Sequence, residues 1–438
     1  MVRRAIVMAL AAASGIAPLE AAPRPVGDSV RYTMARGDTL IRLAERFFKR
    51  RSDYATVQRR NHISDPRHIP IGTVLTIPKA VLRETPIPAT LIAYRGKIAV
   101  ERDGKPLTPD KGMVLQEGDR IITDASSFAT FVLANGSRIT LPSQTAVRLA
   151  TMRRLLLNDA VDFDIAVEKG RAETKVIPIA PGKGWFRLRT PSAVSAVRGT
   201  EFRVAYDTAD TPSLTEVTQG TVAVGAPLAP SPAAIEQGFG ASVSASGKVD
   251  TEALLAAPAL REPGRIQIAP AVALAFDPVP GAVAYHVQIA SDAGFVDIAA
   301  EARSTAPAAT FGDIGNGNWF VRLTAVAASG LEGMPQSYAM RRVLTELGAS
   351  AGVVDDGYRF KWFGAGEGRR LYRFQLLAQE NGTVPLIDEP GIADDAIVLQ
   401  GLTPGTYYWR VGVQQYADGG ETVTWVPAEK LIIADASR

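Results

Sequence analysis

Two kinds of hydrophobic pattern follow one another along the chain. Near the start, an alternating segment at 30–34 precedes residues 40–48, whose apolar side chains recur at helical spacing. A second helical stretch at 54–61 and another alternating segment at 73–77 follow. The order strand, helix, helix, strand predicts a small βααβ module.

From about residue 90 onward, short alternating segments are separated by Gly, Asn and Asp, which predicts strands without helices. Asn135-Gly136 lies between two such segments and favours a tight hairpin. We therefore expect an all-β domain, with strands at 97–101, 120–123, 128–133, 138–141, 160–168, 176–179, 185–190, 201–206 and 214–224.

An Ala-, Pro-, Ser- and Gly-rich stretch at 226–262 predicts a linker, with 234–243 as an alternative last strand of the preceding domain. Beyond it the chain repeats itself. AYHVQIA at 284–290 corresponds to LYRFQLL at 371–377, which aligns Gln288 with Gln375. Further on, Arg322 aligns with Arg410 at nearly the same offset. Two copies of one β-domain are expected.

The amino-acid composition excludes several classes of catalytic and metal site. The chain has no Cys, which excludes thiol nucleophiles, disulfides and zinc sites built on Cys. It has three His in 438 residues, which leaves little for imidazole-based catalysis. Between Val30 and Lys79, eleven Lys/Arg oppose four Asp/Glu, a local charge of +7 in a chain of net charge +3. Such a basic module suits nucleic acid, a membrane surface or an anionic polymer, or it is simply a solvated face.

The first 22 residues have the pattern of a secretory signal peptide, with Arg3 and Arg4 before an apolar run at 5–13. We expect export to the periplasm or cell envelope and no transmembrane segment in the mature chain. Export also argues against nucleic acid as the partner of the basic module.

Residues 28–80 resemble a LysM domain, a small module that binds polymers containing N-acetylglucosamine. The resemblance rests on YTMARGDTLIRLAERFF, then Asn61, and finally IPIGTVLTIP at 69–78. It implies a shallow groove between the turn after the first strand and the loop before the last strand. The glycan contacts that it implies are Gly37, Asp38, Thr39, Leu40, Ile69, Pro70, Ile71 and Gly72.

Acetamido groups need backbone N–H and C=O partners and an apolar surface for the methyl group, which such loops can present. Each residue also has a purely structural interpretation. Gly37 and Gly72 can serve turns alone, and Asp38 or Thr39 can serve only as a helix cap. Peptidoglycan or another N-acetylglucosamine polymer is the expected ligand. His62 and His68 lie on different local elements, and we predict no metal site and no cofactor.

Residues 88–225 resemble a FecR domain, most clearly in LRTPSAVSAVRGTEFRV at 188–204. This resemblance implies an extracytoplasmic interaction or signalling role. Arg198, before Gly199, is a possible contact for a carboxylate or phosphate partner, or else an arginine paired with loop carbonyls. Gly199 indicates a backbone position with positive φ or a close approach.

Residues 263–344 and 345–438 resemble fibronectin type III sandwiches, in which Trp319 and Trp409 would be core anchors. The fold class is thus mainly β and multidomain, with a small βααβ LysM-like module, an all-β FecR-like domain and two β-sandwich repeats. Because the chain lacks the common catalytic motifs, we predict no catalytic residues. The sequence favours an exported peptidoglycan-binding envelope protein whose β-modules contact an envelope protein of unknown identity. The alternatives are an extracytoplasmic signalling component that senses a receptor or ligand, and a glycan-cleaving enzyme.

Overall fold

The computed structural model describes residues 29–208, 211–227, 231–417 and 420–434, so the predicted signal peptide lies outside the described residues. Strands account for 54% of the chain and helices for 5%, which confirms the mainly-β prediction. None of the helices among the described residues is long and apolar enough to cross a membrane.

The first module, residues 29–82, forms the predicted βααβ unit. Val30 in its first strand lies opposite Ile77 in its last, and both side chains point into the core. Helix α1 begins after Thr39, whose hydroxyl caps the Arg42 amide. The elements are β1 (Ser29–Thr33), α1 (Leu40–Phe47), a 3-10 turn (Arg51–Asp53), α2 (Tyr54–Arg60), β2 (Val74–Pro78) and a second 3-10 turn (Lys79–Val81).

In the parts of 84–253 that the structure describes, the middle module contains no helices, only strands. They are β3 (Glu84–Pro86), β4 (Ala89–Arg95), β5 (Ile98–Arg102), β6 (Lys105–Leu107), β7 (Val114–Leu115), β8 (Arg120–Thr123), β9 (Phe128–Leu133), β10 (Arg138–Leu141), β11 (Ala146–Leu155), β12 (Val161–Lys175), β13 (Gly184–Arg189), β14 (Val194–Val197), β15 (Glu201–Tyr206), β16 (Ser213–Gln219), β17 (Thr221–Gly225), β18 (Ala233–Glu236), β19 (Phe239–Val243) and β20 (Val249–Ala253).

The strands of the middle module form two sheets that close into a barrel, and β12 belongs to both sheets. Its first half pairs with β11 and β13, and its second half pairs with β10 and β15. Gly170 marks the change of partners, with φ +85° and no room for a side chain, since a Cβ there would lie 2.5 Å from the Thr145 hydroxyl. Arg171, the next residue, lies opposite Ala205 of β15 and so belongs to the second half of the strand.

Apart from strands that the sequence did not predict, the structure differs from the sequence-based expectations at 226–262 and at 176–179. Much of the stretch expected as a linker forms strands, because β19 pairs with β16 and β20 pairs with β19. This agrees with the alternative that 234–243 adds a strand to the middle module. The strand expected at 176–179 does not form, although the Val176 and Ile179 amides donate to the carbonyls of Thr200 and Arg198.

The first repeat, residues 272–342, is a sandwich of two antiparallel sheets. One sheet pairs β21 with β24, and the other has the order β23-β22-β25-β26. Between them lies a core that includes Val287, Leu323 and Phe311, with Trp319 packed against it. The strands are β21 (Val272–Ala275), β22 (Ala282–Ala290), β23 (Ile298–Ser304), β24 (Ala308–Phe311), β25 (Gly317–Ala327) and β26 (Gln336–Arg342).

The second repeat, residues 348–433, has the same two-sheet plan. Trp409 is 1% exposed and packs with Phe360 and Phe374, which confirms it as a core anchor. The sheets have the orders β27-β28-β31 and β30-β29-β32-β33, with β34 also paired to β32. The strands are β27 (Gly348–Val354), β28 (Gly357–Phe363), β29 (Arg369–Leu377), β30 (Ile387–Ile392), β31 (Ala396–Leu399), β32 (Gly405–Ala417), β33 (Gly420–Trp425) and β34 (Glu429–Ile433).

The aligned pairs of the two repeats occupy the same place in the fold. Gln288 lies opposite Arg322 on neighbouring strands, and its side-chain oxygen accepts from the Arg322 Nε at 2.9 Å. Gln375 lies opposite Arg410 in the same way, also at 2.9 Å. The internal repeat read from the sequence thus corresponds to a repeated side-chain pair as well as a repeated fold.

Candidate functional site

Two loops of the first module lie side by side. The first loop, residues 34–39, joins β1 to α1, and the second loop, residues 64–73, leads into β2. The Gly72 amide donates to the Met34 carbonyl at 2.9 Å, and the Met34 amide donates to the Thr73 carbonyl at 2.9 Å. The Leu40 amide, at the start of α1, donates to Pro66 at 3.1 Å. The structure therefore brings together the two groups of predicted contact residues.

The first loop is fixed by its own polar side chains. The Asp38 carboxylate accepts from the Tyr32 hydroxyl at 2.7 Å and from the Ala35 amide at 2.9 Å. Burial, together with this hydrogen bond, raises the pKa of Tyr32 from 10 to about 12. The Thr39 hydroxyl is used as the cap of α1. Thr39 thus has the capping role that the sequence left open, whereas Asp38 holds the loop and does not cap the helix.

The two glycines are needed for the turns. Gly37 and Gly72 have φ values of +84° and +87°, which disfavour any residue with a side chain. No atom lies within 4 Å of where a Cβ would stand at either position. Both turns therefore present open backbone. The Gly37 carbonyl already accepts from the Arg42 guanidinium at 2.9 Å.

The remaining four predicted residues divide into buried and exposed. Leu40 is fully buried, so that its side chain belongs to the core and only its backbone lies near the loops. Ile71 is 70% exposed and stands beside the exposed Pro70, while Ile69 is partly buried. An isoleucine so exposed on a module of this size supplies an apolar contact surface next to the open backbone of Gly72.

Asn61 joins the second helix to the last strand. Its amide nitrogen donates to the carbonyls of Val57 and Thr76, at 2.8 and 2.9 Å, and its oxygen accepts from the Thr76 amide at 2.7 Å. Sequence reasoning placed Asn61 within the resemblance but gave it no role. The backbone groups of Met34 and Pro66, which hold the loops together, carried no signal in the sequence, since any residue supplies a carbonyl.

The basic run on the same module is partly neutralised by the module's own acidic groups. Arg50 pairs with Asp53 at 3.0 Å, and Arg51 pairs with Glu45 at 3.2 Å. Arg59 is exposed. The Arg51–Glu45 pair is exposed and contributes about 0–1 kcal/mol to stability, whereas Asp53 is buried beneath the exposed Arg50 side chain.

The histidines of the first module do not come together at a metal site. The His68 Nδ1 lies 2.7 Å from the Asp65 carboxylate, and both groups are exposed. His62 adopts a positive φ of 53° after α2. No group of three or more His, Asp or Glu side chains within the described ranges could hold a metal ion.

Arg198 stands at an exposed turn of the middle module. Its carbonyl accepts from the Ile179 amide at 3.0 Å, and its guanidinium has no hydrogen-bond or ion-pair partner among the described residues. Gly199 has φ +126°, and a Cβ there would lie 2.7 Å from the Cα of Pro178. The expectation of positive φ and close approach at Gly199 is confirmed.

Two family models match parts of the chain. The LysM domain model matches residues 32–78. The FecR protein model matches residues 119–223. Both resemblances read from the sequence are thereby confirmed for these ranges, which together make up less than half of the chain. No curated protein matches it.

Two solved structures illustrate what the chain is similar to. A protein described as an anti-sigma factor, from Parabacteroides distasonis ATCC 8503, is 20% identical, and the match covers 31% of this chain and 59% of that one, with a TM-score of 0.26. A segment of two fibronectin type III domains from chicken tenascin is 14% identical, with coverages of 41% and 100% and a TM-score of 0.22. TM-scores this low support no argument about the function of this chain.

Proposed function

We propose that this protein is a non-enzymatic, exported component of the cell envelope that binds peptidoglycan, or another N-acetylglucosamine polymer, through its first module. The observation that carries the proposal is the LysM match over 32–78, on a module whose two loops lie side by side. The proposed contacts are the backbone of Gly37, Asp38, Thr39 and Leu40 on one loop and the residues Ile69, Pro70, Ile71 and Gly72 on the other.

The chemistry of the two loops suits an acetamido sugar. Ile71 offers an apolar surface for the acetamido methyl group, and the open turns at Gly37 and Gly72 let a sugar approach the backbone. Since the Asp38 and Thr39 side chains are engaged within the loop, we assign their contribution to backbone groups and to shape. Recognition by backbone and apolar contact needs little charge, so we assign the basic run no direct role.

The remaining modules are proposed to contact another envelope protein. The FecR match over 119–223 supports an interaction or regulatory role. Arg198 is the proposed contact on the middle module, because its guanidinium is exposed at the turn. Export by residues 1–22, a periplasmic or envelope location and the domain boundaries expected from the sequence belong to this proposal as well.

Sedimentation with purified peptidoglycan tests the glycan-binding proposal. We expect the full chain to sediment with the polymer and a variant lacking residues 30–79 to remain in solution. Ile71→Asp places a carboxylate on the second loop and should weaken binding about tenfold or more, or about 1.4 kcal/mol. Thr56→Asp introduces the same charge at an exposed position of α2 and is expected to bind normally.

Salt distinguishes loop binding from attraction by the basic run. Raising the ionic strength from about 0.1 M to about 1 M shortens the Debye length from roughly 10 Å to 3 Å, which removes most attraction between exposed charges. Binding through the two loops should persist at high salt. Loss of binding at high salt, or equal binding by the variant lacking 30–79, would contradict the proposal.

The two alternative functions have their own tests. A cleared band in zymography on cell walls would favour a glycan-cleaving enzyme. Recovery of a receptor or regulator with residues 90–225 from envelope extract, dependent on Arg198, would favour a signalling component. The FecR match is the specific observation behind the second alternative.

A further inference from the structure

The middle module and the first repeat meet at a buried group of charged side chains, which we call the interface cluster. The Glu332 backbone amide, from the turn after β25, donates to the Glu216 carboxylate of β16 at 3.1 Å. Arg203 of β15 donates to the carbonyls of Glu332 and Gly333, at 2.8 and 2.6 Å. The members are Arg171 and Glu173 of β12, Arg203 of β15, Glu216 of β16, His286 of β22, Glu301 and Arg303 of β23, Arg322 of β25, and Glu332.

The imidazole of His286 lies between two carboxylates. Its Nε2 is 3.0 Å from a Glu301 oxygen, and its Nδ1 is 3.1 Å from a Glu332 oxygen. An ionised carboxylate can only accept hydrogen bonds, and a neutral imidazole carries only one N–H. Both contacts are hydrogen bonds at the same time only when both ring nitrogens carry a proton. The geometry is therefore that of a cationic His286.

The charge balance of the interface cluster leads to the same protonation state. Four carboxylates, those of Glu173, Glu216, Glu301 and Glu332, are at most 16% exposed. Three guanidiniums, those of Arg171, Arg203 and Arg322, are buried to a similar degree. Arg303 is 53% exposed and partly screened by solvent. A protonated His286, at 2% exposure, supplies the fourth buried cation.

Around the interface cluster, the two modules are held by further contacts. The Ser143 amide of the middle module donates to Glu301 at 3.1 Å, and the Thr130 hydroxyl donates to the Val296 carbonyl at 2.7 Å. Phe128 packs with Phe295 and Ile298 of the first repeat. A cleft of about 630 Å³ between the modules is lined by His286, Glu301 and Arg303 as well as by residues of the middle module. This cleft gives solvent, and hence protons, a route to the imidazole.

We propose that protonation of His286 locks the first repeat onto the middle module, and that loss of this proton loosens the docking of the two modules. The first repeat is then a second layer of the middle module whose attachment responds to pH. In an envelope protein, such a device would change the surface that the FecR-like module presents to a partner.

The direction of the titration agrees with this geometry. Burial opposes the charge on His286, but the Glu332 and Glu301 carboxylates outweigh it and hold the pKa of His286 above its usual 6.5. A group whose pKa is raised in the docked state stabilises that state fully below its ordinary pKa. This contribution is lost as pH rises through the raised value. Docking is therefore expected to weaken on the alkaline side.

Titration of the imidazole signals of the full chain by NMR is the first test. The chain contains three histidines, and the exposed His62 and His68 can be assigned with the variants His62→Gln and His68→Gln, which leaves the His286 signal identified. We expect His286 to titrate above 6.5. A His286 signal that titrates at or below 6.5 would overturn the proposal, and this result requires no variant at the interface.

Hydrogen exchange at two interface amides is the second test. The Glu332 and Ser143 amides both donate to carboxylates across the interface. Between pH 6.5 and the raised pKa, their protection factors should fall about tenfold per pH unit. His286→Gln should lower both factors and remove the pH dependence, while His68→Gln should match the unaltered chain. The same pH dependence in His286→Gln, or none in the unaltered chain, would overturn the proposal.

Discussion

The two C-terminal repeats share a fold and a Gln–Arg pair, yet they place that pair in different surroundings. In the first repeat, Arg322 also pairs with Glu173 of the middle module and covers the ring of Phe295, at 4.3 Å. In the second repeat, Arg410 lies over Trp425 at 4.9 Å, within the same sandwich. In the first repeat, the repeated Gln–Arg pair thus contacts a neighbouring module, whereas in the second repeat it packs within its own sandwich.

The two repeats also differ in how much apolar surface they expose. Large apolar side chains are exposed at several points of the second repeat, such as Val353 at 79%, Phe363 at 60% and Ile432 at 64%. The first repeat instead packs Phe295 and Ile298 against Phe128 of the middle module. One sandwich fold can therefore serve either as an integral layer of a neighbouring module or as a separate surface.

Removal of a carboxylate should show the largest difference in stability between the two repeats, because the carboxylate is buried in the first and partly exposed in the second. Glu332→Ala leaves Arg171, Arg203 and His286 without their shared anion, and we expect a loss of about 3–5 kcal/mol in the free energy of unfolding. Asp388→Ala removes the partner of the half-exposed Arg373 in the second repeat and should cost about 0–1 kcal/mol. Denaturant unfolding of both variants measures the difference. Equal losses would show that the interface cluster is no more important than a surface pair.

Acid should affect the first repeat more than the second. Burial raises the pKa of Glu301, but hydrogen bonds from His286 and Ser143 outweigh it. The pKa of Glu301 is therefore lowered from its usual 4.5 to about 2. Since the pKa is lowered in the folded state, this stabilisation is complete above pH 4.5 and is lost as pH falls toward 2. It amounts to about 3 kcal/mol. Thermal unfolding followed from pH 6 to pH 2 should show this loss, and Glu301→Gln should make the curve flatter.

The Gln–Arg pair provides the smallest and best-matched contrast. Gln288→Ala removes the acceptor of Arg322 and a contact to Glu173 at 3.3 Å, so we expect a cost of about 1–3 kcal/mol. Gln375→Ala removes the hydrogen bond to Arg410 and one to Asp388, whose carboxylate is more exposed than that of Glu173, and should cost about 1 kcal/mol. A larger loss for Gln375→Ala, measured by denaturant unfolding, would reverse the comparison.

The sequence predicted local elements better than it predicted contacts between modules. Helical spacing at 40–48 and 54–61 predicted α1 and α2 nearly to the residue, and Asn135-Gly136 predicted the β9–β10 hairpin. Strands β3, β4, β6, β7, β11, β14 and β20 were not predicted. Strand β12 was predicted only over its first half, because Gly170 interrupts the alternation at the point where the strand changes partners.

No pattern in the sequence predicted the interface cluster. Arg171, Glu216 and Glu332 are far apart along the chain, and each alone is typical of a solvated strand. His286 was one of three histidines without an assigned role. For the candidate glycan site, resemblance identified the two loops, but only the structure separates the buried Leu40 from the exposed Ile71.

The most direct test of the proposed function is a chemical-shift map of the backbone amides of the full chain, titrated with a chitin tetrasaccharide. We predict shifts confined to the two loops, residues 34–39 and 64–73, and to the adjoining Leu40, and we predict their loss in Ile71→Asp but not in Thr56→Asp. Shifts centred on the basic residues at 49–51 and 59–60, or no shifts within the first module, would contradict this prediction.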